Sequence, residues 1–233
     1  MTTNKNPGIY VHIPFCVRKC NYCAFLSGAS DEAMRERYVK ALCEEIRIRA
    51  MLMSDHEHGV FDTIFFGGGT PSLLTSAQVA RIIDELKMNF DIDSEAEITL
   101  ESNPKALSME SLKGYRDAGV NRLSMGVQSM NDEILKRLGR IHTAWDVIRD
   151  VQNAREAGFD NINLDLMFAV PGSSLETTLI DIEAVTSLEP EHISFYSLQL
   201  EEGTAFFKEF ERGELKEVPD EIDRETYHAG AKI

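Results

Sequence analysis

Three of the four cysteines in this 233-residue chain lie within eight residues of one another. Cys16, Cys20 and Cys23 have the spacing C-x3-C-x2-C, whereas Cys43 lies apart from them. They are too close together for a disulfide framework, and such clustering is typical of metal or redox chemistry in a reducing compartment. Three thiolates can bind three irons of a 4Fe-4S cluster and leave the fourth iron open to an exogenous ligand. The spacing therefore predicts such a cluster on these three cysteines.

A structural zinc site is the alternative interpretation of the same cysteines. Zinc takes four ligands, and His12 could be the fourth. The pattern lacks a second pair of ligands, however, and a large α/β core needs no zinc to fold. We therefore favour the iron–sulfur cluster. Cys43 lies in an apolar helical stretch and is predicted to be a core residue.

Further polar residues lie at or beyond the ends of apolar, β-branched segments. They are Gly67-Gly68-Gly69-Thr70-Pro71, Glu101, Gln128, Asp165, and Tyr196 with Gln199. Each could singly be a tight turn or a solvated strand end, but Asp165 between two leucines needs a partner or a ligand. Ligands of parallel α/β folds bind at the carboxyl ends of the strands. We therefore expect one cleft that gathers these residues with the cysteines.

The elements that must position them alternate between strand and helix patterns. Strands are predicted at 8–14, 62–67, 97–103, 122–128, 161–168 and 192–200. Helices are predicted at 31–53, 75–90, 108–118, 131–138, 143–157, 174–188 and 220–233. This alternation predicts an α/β fold with a parallel sheet and right-handed crossovers, although periodicity alone does not distinguish a barrel from an open sheet.

Composition restricts the function classes. The net charge is −15, which argues against nucleic-acid binding but permits small anions beside a local Arg or Lys. No apolar run approaches the roughly 20 residues of a membrane helix. Residues 1–7 are short and polar, unlike a signal peptide. We therefore expect a cytoplasmic protein without a transmembrane segment.

The segment IYVHIPFC at residues 9–16, followed by Cys20, Tyr22 and Cys23, resembles the radical S-adenosylmethionine (SAM) superfamily. Within it, the chain is similar to the oxygen-independent coproporphyrinogen III oxidase family. GGGTPS at 67–72, GVQS at 126–129, LGR at 138–140 and NLDL at 163–166 match its other motifs in order. The resemblance implies a partial (β/α)6 barrel with parallel strands, open on one side. It makes residues 1–205 the radical SAM core and 206–233 the truncated start of a C-terminal extension.

The resemblance also implies a role for each residue at the methionine end of SAM. The open iron of the cluster would bind the amino and carboxylate groups. Gly68, Gly69 and Thr70 would line this end with backbone groups. Arg140 would pair with the carboxylate through charge-assisted hydrogen bonds, and Glu101 would face the amino group.

At the nucleoside end, the resemblance implies that Gln128 and Asp165 bond the ribose hydroxyls. Tyr22 would lie beside the adenine, and Tyr10 would approach the cofactor from the first strand. Two further candidates are weaker: Met167 and Gln199. In this family a reduced cluster passes one electron into the sulfonium of SAM, which leaves methionine and a 5′-deoxyadenosyl radical. An electron donor is therefore an expected partner.

Two features separate the branches of the family. The oxidase branch carries a further cysteine two residues after the third, where this chain has Phe25, and it has a longer arm before the tyrosine that corresponds to Tyr10. Both differences resemble the haem chaperone (HemW-type) branch, whose members bind haem and deliver it to acceptor proteins. The resemblance thus implies a haem chaperone, with coproporphyrinogen III oxidase in porphyrin biosynthesis as the less favoured alternative. The haem-binding region of that branch lies mostly beyond Ile233, and no histidine is assigned as a haem ligand.

Overall fold

Six parallel strands form one sheet in the computed structural model, which describes residues 6–53 and 59–233. The strands are β1 (Gly8–Ile13), β2 (Phe61–Gly68), β3 (Ile92–Ser102), β4 (Arg122–Gln128), β5 (Ile162–Phe168) and β6 (His192–Ser197). Their spatial order follows the chain, β1-β2-β3-β4-β5-β6, and every neighbouring pair is parallel. The predicted α/β fold with an open (β/α)6 arrangement is therefore confirmed.

Eight helices are found in the described residues. They are α1 (Glu32–Leu52), α2 (Ser76–Asn89), α3 (Met109–Asp117), α4 (Asp132–Leu138), α5 (Ala144–Glu156), α6 (Leu175–Thr186), α7 (Ala205–Glu211) and α8 (Asp220–Gly230). Four of them begin with a capping box, in which the N-cap and N3 residues satisfy each other's free backbone N–H groups. The N-caps are Thr75, Ser108, Thr143 and Ser174. None of the helices described is long and apolar enough to cross a membrane.

Two strand boundaries differ from the predicted ones by more than one residue. β3 begins at Ile92 because Phe61 pairs with Ile92 before the register shifts, and Thr63 then pairs with Glu97. The charged residues between them conceal the first half of the strand in the sequence. β6 ends at Ser197, so Gln199 follows the strand instead of lying within it.

The sheet separates an apolar layer from a polar one. Alternate residues of a strand point to opposite faces. On β5, Ile162, Leu164 and Leu166 are fully buried in the main hydrophobic core between sheet and helices. Asn163 and Asp165 point to the other face, where the candidate site lies.

The C-terminal segment packs onto the same body. α7, which the sequence did not predict, has Thr204 as its N-cap and buries Phe206 completely. Phe206 and Leu215 belong to a second apolar cluster with Met167 of β5. α8 contacts α6, β5 and β6. The division into a core ending at 205 and an extension from 206 stays a prediction.

Candidate active site

A cavity of about 470 Å³ lies at the carboxyl ends of the strands. It brings together all but one of the residues that the sequence predicts to form the site. These are Cys16, Cys20, Tyr22, Cys23, Gly68, Gly69, Thr70, Glu101, Gln128, Arg140 and Asp165. The weaker candidates Met167 and Gln199 also line it. The expectation of one shared cleft is therefore met by segments from all six βα units.

Tyr10 is the predicted site residue that the cavity wall does not include. Its side chain is 59% exposed on β1, and its ring stacks against Phe65. The hydroxyl group hydrogen-bonds with His12 Nδ1 at 3.2 Å. Its contact with a cofactor stays a prediction.

The segment 14–28, which we call the cysteine loop, is fixed at both ends. Gly28 donates to the Pro14 carbonyl at 3.0 Å, and Cys16 donates to the Gly28 carbonyl at 2.9 Å. In its middle, Asn21 donates to the Leu138 carbonyl at 2.9 Å, which ties the loop to the end of α4. Backbone hydrogen bonds therefore hold the loop against the barrel, and the Asn21 side chain adds one more, to the Arg137 carbonyl at 2.8 Å.

All three cysteines of the loop are free and partly exposed, whereas Cys43 is buried in the core as predicted. Thr70 Oγ1 donates to Cys16 Sγ at 3.6 Å, and Arg140 Nη1 donates to Cys20 Sγ at the same distance. Burial raises the pKa of the Cys23 thiol. Two of the three sulfurs thus already have donors that would stabilise a thiolate.

The glycine-rich turn after β2 packs too closely for larger residues. Gly69 and Thr70 donate their N–H groups to the Ile13 and Phe15 carbonyls at 2.8 and 2.7 Å. A Cβ atom on Gly69 would lie 2.5 Å from the Phe15 carbonyl oxygen. Gly68 has φ +110°, a conformation that favours glycine. The turn therefore has a packing reason to be glycine-rich, independently of any ligand.

Arg140 organises the wall beside the cysteines. Its Nη2 donates to Asn103 Oδ1 and to the Gly126 carbonyl, each at 2.5 Å. Asn103 in turn donates from Nδ2 to Thr70 Oγ1 at 2.8 Å. Asn103 had no assigned role in the sequence, since its only signal was its position just beyond β3. Arg140 Nε is buried without a hydrogen-bond partner among the described residues.

Two carboxyl groups share the cavity. Burial, reinforced by the charge of Asp165, raises the pKa of Glu101 to about 7, although the Gly68 N–H donates to it at 3.2 Å. Burial also raises the pKa of Asp165, against the hydrogen bond that Asn163 donates at 2.7 Å. Because burial disfavours the charged form of both groups, a cationic ligand in the cavity would stabilise their carboxylates.

Gln128 reaches the cavity through an unusual backbone conformation. Its φ is +69°, and the β4–β5 register shifts between Gly126 and Gln128. A non-glycine residue with positive φ is strained, and this conformation persists only where the surrounding structure holds it. Tyr196 Oη donates to Gln128 Oε1 at 2.8 Å and so fixes the amide. Tyr196, noted in the sequence only as a late polar residue of the sixth strand, is therefore a positioning residue that the assignment missed.

The model of the Radical SAM superfamily matches residues 10–185 of this chain. The chain belongs to the radical SAM superfamily. This membership implies a 4Fe-4S cluster and SAM, and it disfavours the zinc alternative. In the part of the chain that the structure describes, no three His, Cys, Asp or Glu side chains are placed to hold a single metal ion.

Individual relatives confirm the predicted resemblance to the haem chaperone branch. "Heme chaperone HemW" of Haemophilus influenzae is 41% identical over 200 residues, 85% of this chain and 52% of its own length. HemW of Bacillus subtilis is 40% identical over 221 residues, 94% of this chain and 57% of its own. The chain thus spans about half the length of these relatives.

A solved structure agrees with the fold. Coproporphyrinogen III oxidase (HemN) from Escherichia coli matches with a TM-score of 0.84 and 28% identity, over 98% of this chain and 52% of that one. Its match extends beyond the superfamily core into α7 and α8.

The residues present fit the groups that a radical SAM protein holds. Three free thiols face one cavity, and donors from Thr70 and Arg140 reach two of them. The buried Arg140 Nε lacks an acceptor, as expected of a donor that serves a ligand carboxylate. The acidic wall of Glu101 and Asp165 suits a ligand with positive charge. A sulfonium that also carries an ammonium and a carboxylate matches all these features.

Proposed function

We propose that this chain is the radical SAM part of a haem chaperone, a protein that binds haem and transfers it to acceptor proteins. The observation that carries the proposal is the 40–41% identity to proteins described as heme chaperones over 85–94% of the chain. Because the chain covers only about half of those relatives, the proposal for haem concerns the whole protein to which these residues contribute.

For the site, we propose that Cys16, Cys20 and Cys23 hold a 4Fe-4S cluster with one iron left open. When bound, the cluster supplies one-electron reducing chemistry next to the sulfonium of SAM. Arg140 binds the SAM carboxylate, for which its unpartnered Nε is available. Glu101 accepts from the ammonium group, since a neighbouring cation would stabilise its ionised form.

The remaining wall orients the rest of SAM. Gly68, Gly69 and Thr70 approach the methionine end with backbone groups, because the two glycines have no side chain to hold the ligand away. Gln128 and Asp165 bond the ribose hydroxyls from the ends of β4 and β5. Tyr22, Met167 and Gln199 border the adenine. Tyr10 would reach the cofactor only from outside the present cavity wall.

Coproporphyrinogen III oxidase activity is the second candidate, because the structure with a TM-score of 0.84 is such an enzyme. The resemblance to the oxidase branch, however, calls for a cysteine where this chain has Phe25. Phe25 is 69% exposed beside the cavity and cannot act as a thiolate. We therefore disfavour oxidase activity.

The proposal implies two kinds of protein partner and a cellular compartment. Acceptor proteins take the haem, and an electron donor reduces the cluster. The oxygen sensitivity of an open cluster and the free thiols fit a reducing compartment, which we propose to be the cytoplasm. Residues 206–233 would begin the extension that carries haem contacts.

Anaerobic reconstitution of the whole protein with iron and sulfide, followed by haem titration, tests the proposal. We expect four irons per chain, a haem absorption change that saturates, and transfer of that haem to apomyoglobin. In a parallel assay, the reconstituted protein is given coproporphyrinogen together with SAM and dithionite. Turnover of coproporphyrinogen would reject the chaperone proposal in favour of the oxidase, whereas haem binding without turnover supports it.

A further inference from the structure

Asn21, which lies between the second and third cysteines of the cysteine loop, bonds two distant parts of the chain. Its backbone N–H donates to the Leu138 carbonyl at 2.9 Å, and its Nδ2 donates to the Arg137 carbonyl at 2.8 Å. Its own carbonyl accepts from the Phe206 N–H of α7 at 3.0 Å. The first N–H groups of a helix have no partner within the helix, so Asn21 supplies the acceptor. The middle of the loop is thus bonded to both α4 and α7.

The Phe206 side chain packs behind this junction. It is completely buried in the second apolar cluster, together with Leu138 of α4 and Met167 of β5. Tyr22 of the cysteine loop packs against the same apolar cluster. Because Tyr22 immediately precedes Cys23, this packing holds the loop beside its third cysteine.

An ion pair joins α4 and α7 at the same junction. Arg137 Nη1 donates to Glu209 Oε1 at 3.2 Å, and Arg137 Nη2 donates to the other carboxylate oxygen. These hydrogen bonds lower the pKa of Glu209. The guanidinium group also lies over the Phe206 ring, 4.7 Å from its centroid, which favours a cation. A bidentate pair of this kind has a defined geometry. We call Asn21, Arg137, Phe206 and Glu209 the clasp.

Two members of the clasp, Phe206 and Glu209, lie outside the superfamily core. The Radical SAM model matches residues 10–185, whereas α7 spans Ala205–Glu211. The walls of the 470 Å³ cavity include none of the four clasp residues. The clasp therefore acts on the candidate site through the cysteine loop and not by contact with a ligand in the cavity.

We propose that Phe206 and Glu209 of α7, acting through Arg137 and Asn21, are positioning residues for the cluster. They hold the segment that carries Cys20 and Cys23 against α4, whereas Cys16 is held separately by its N–H bond to the Gly28 carbonyl. Groups that orient metal ligands strengthen metal binding, so a segment beyond the superfamily core prolongs the lifetime of the cluster. This consequence rests on the proposed function, because it requires iron on these cysteines.

Alkylation of the cluster-free whole protein tests the clasp without iron. Glu209→Gln and Arg137→Met each break the ion pair, and the double variant shows whether the two residues act together. Glu214→Gln is the matched control, because Glu214 forms an ion pair with Arg212 outside the clasp. Brief exposure to iodoacetamide, followed by mass spectrometry, gives the alkylation rate of each cysteine. Cys43, which is buried in the core, reports opening of the whole chain.

We expect alkylation of Cys20 and Cys23 to be at least about threefold faster in both single variants, and the double variant to be no faster than the faster single variant. The two substitutions change the local charge in opposite directions, so an increase in both reflects release of the loop and not a change in thiol acidity. Cys16 and Cys43 should react as in the wild type, and so should all four cysteines of Glu214→Gln.

The reconstituted whole protein supplies the second measurement, the half-life of the cluster in an anaerobic solution of a ferrous chelator. We expect this half-life to fall by at least about threefold in both single variants and to stay unchanged in Glu214→Gln.

Three results would overturn the proposal. The first is alkylation of Cys20 and Cys23 at the wild-type rate. The second is an equal increase at Cys43, since the whole chain would then be opening. The third is faster alkylation without a shorter half-life of the cluster. A wild type that assembles no cluster would instead overturn the proposed function, while the alkylation rates would still decide whether the clasp holds the loop.

Discussion

Arg140 and Cys20 are 120 residues apart in the chain, yet Arg140 Nη1 donates to Cys20 Sγ at 3.6 Å. The same guanidinium group bonds Asn103, which bonds Thr70, which donates to Cys16. A single chain of hydrogen bonds thus joins two of the cysteines to the ends of β2, β3 and α4. The donor at the Cys20 sulfur and the unpartnered Nε belong to one side chain, so the proposed cluster and SAM sites share a structural element.

Loss of one cysteine should remove the cluster without unfolding the barrel. In Cys20→Ala, two thiolates remain, too few to hold the cluster, whereas the sheet core does not include Cys20. The matched control is Cys43→Ala, which removes a buried sulfur from the core and should keep the cluster. Iron and sulfide analysis after anaerobic reconstitution, with circular dichroism for folding, makes the comparison. Four irons per chain in Cys20→Ala would contradict the assignment.

Truncation of Arg140 should weaken SAM binding by more than the roughly 1.5–3 kcal/mol of one charged hydrogen bond. The excess arises because the change also frees Asn103 and Cys20 from their donor. Arg140→Lys keeps the charge but lacks the planar guanidinium group, so its affinity for SAM should lie between those of the wild type and Arg140→Ala.

The control for this prediction is Arg224→Ala, at an exposed position of α8, which should bind SAM like the wild type. Equilibrium titration of the reconstituted protein with SAM gives the affinities. If Arg140→Ala binds SAM as tightly as Arg224→Ala does, Arg140 is not the carboxylate partner.

Glu101 should make the ligand-free chain less stable as the pH rises. Its pKa is about 7 in the folded chain against an ordinary value of 4.5. Between these values the unfolded chain releases a proton that the folded chain retains, so the free energy of unfolding falls from about pH 4.5 to 7 and then levels off. Glu101→Gln removes this pH dependence. Its free energy of unfolding relative to that of the wild type should therefore rise by up to about 3 kcal/mol between pH 5 and pH 7.5.

Urea unfolding of the metal-free chain at both pH values measures the effect. Glu95→Gln, an exposed change on the same strand, is the control and should leave the pH dependence as in the wild type. If the free energy of unfolding of Glu101→Gln changes with pH as that of the wild type does, burial does not raise the pKa of this carboxyl group.

Removal of the Tyr196 hydroxyl group should weaken SAM binding through Gln128. The hydroxyl fixes the Gln128 amide at 2.8 Å, and its loss should cost about 0.5–1.5 kcal/mol, the net value of one hydrogen bond. Tyr196→Phe is compared with Tyr227→Phe, a half-exposed tyrosine of α8, by SAM titration.

Gln128→Ala supplies the necessary second readout. If Tyr196 acts only by holding Gln128, the loss of affinity in the double variant should equal that in Gln128→Ala alone. Additive losses would instead mean that Tyr196 contacts the ligand directly.

The amino-acid sequence alone determined what depends on local pattern. The strand and helix periods predicted six βα units, because those periods are visible within a few residues. The spacing of Cys16, Cys20 and Cys23 and the glycine-rich turn were likewise evident. Because ligands of parallel sheets bind at the carboxyl ends of the strands, the sequence also predicted that Glu101, Gln128 and Asp165 share one cavity.

Only the tertiary structure decided which side chains contact one another. Asn103 with Thr70 spans 33 residues, and Tyr196 with Gln128 spans 68. Such pairs join the ends of strands that are distant in the chain, and Gln128 lies at a register shift that has no local signal. Tyr10 lies on β1 beside Phe65 of β2 and is exposed outside the cavity wall. Local periodicity specifies the elements, whereas the contacts of the site arise from how distant strand ends are brought together.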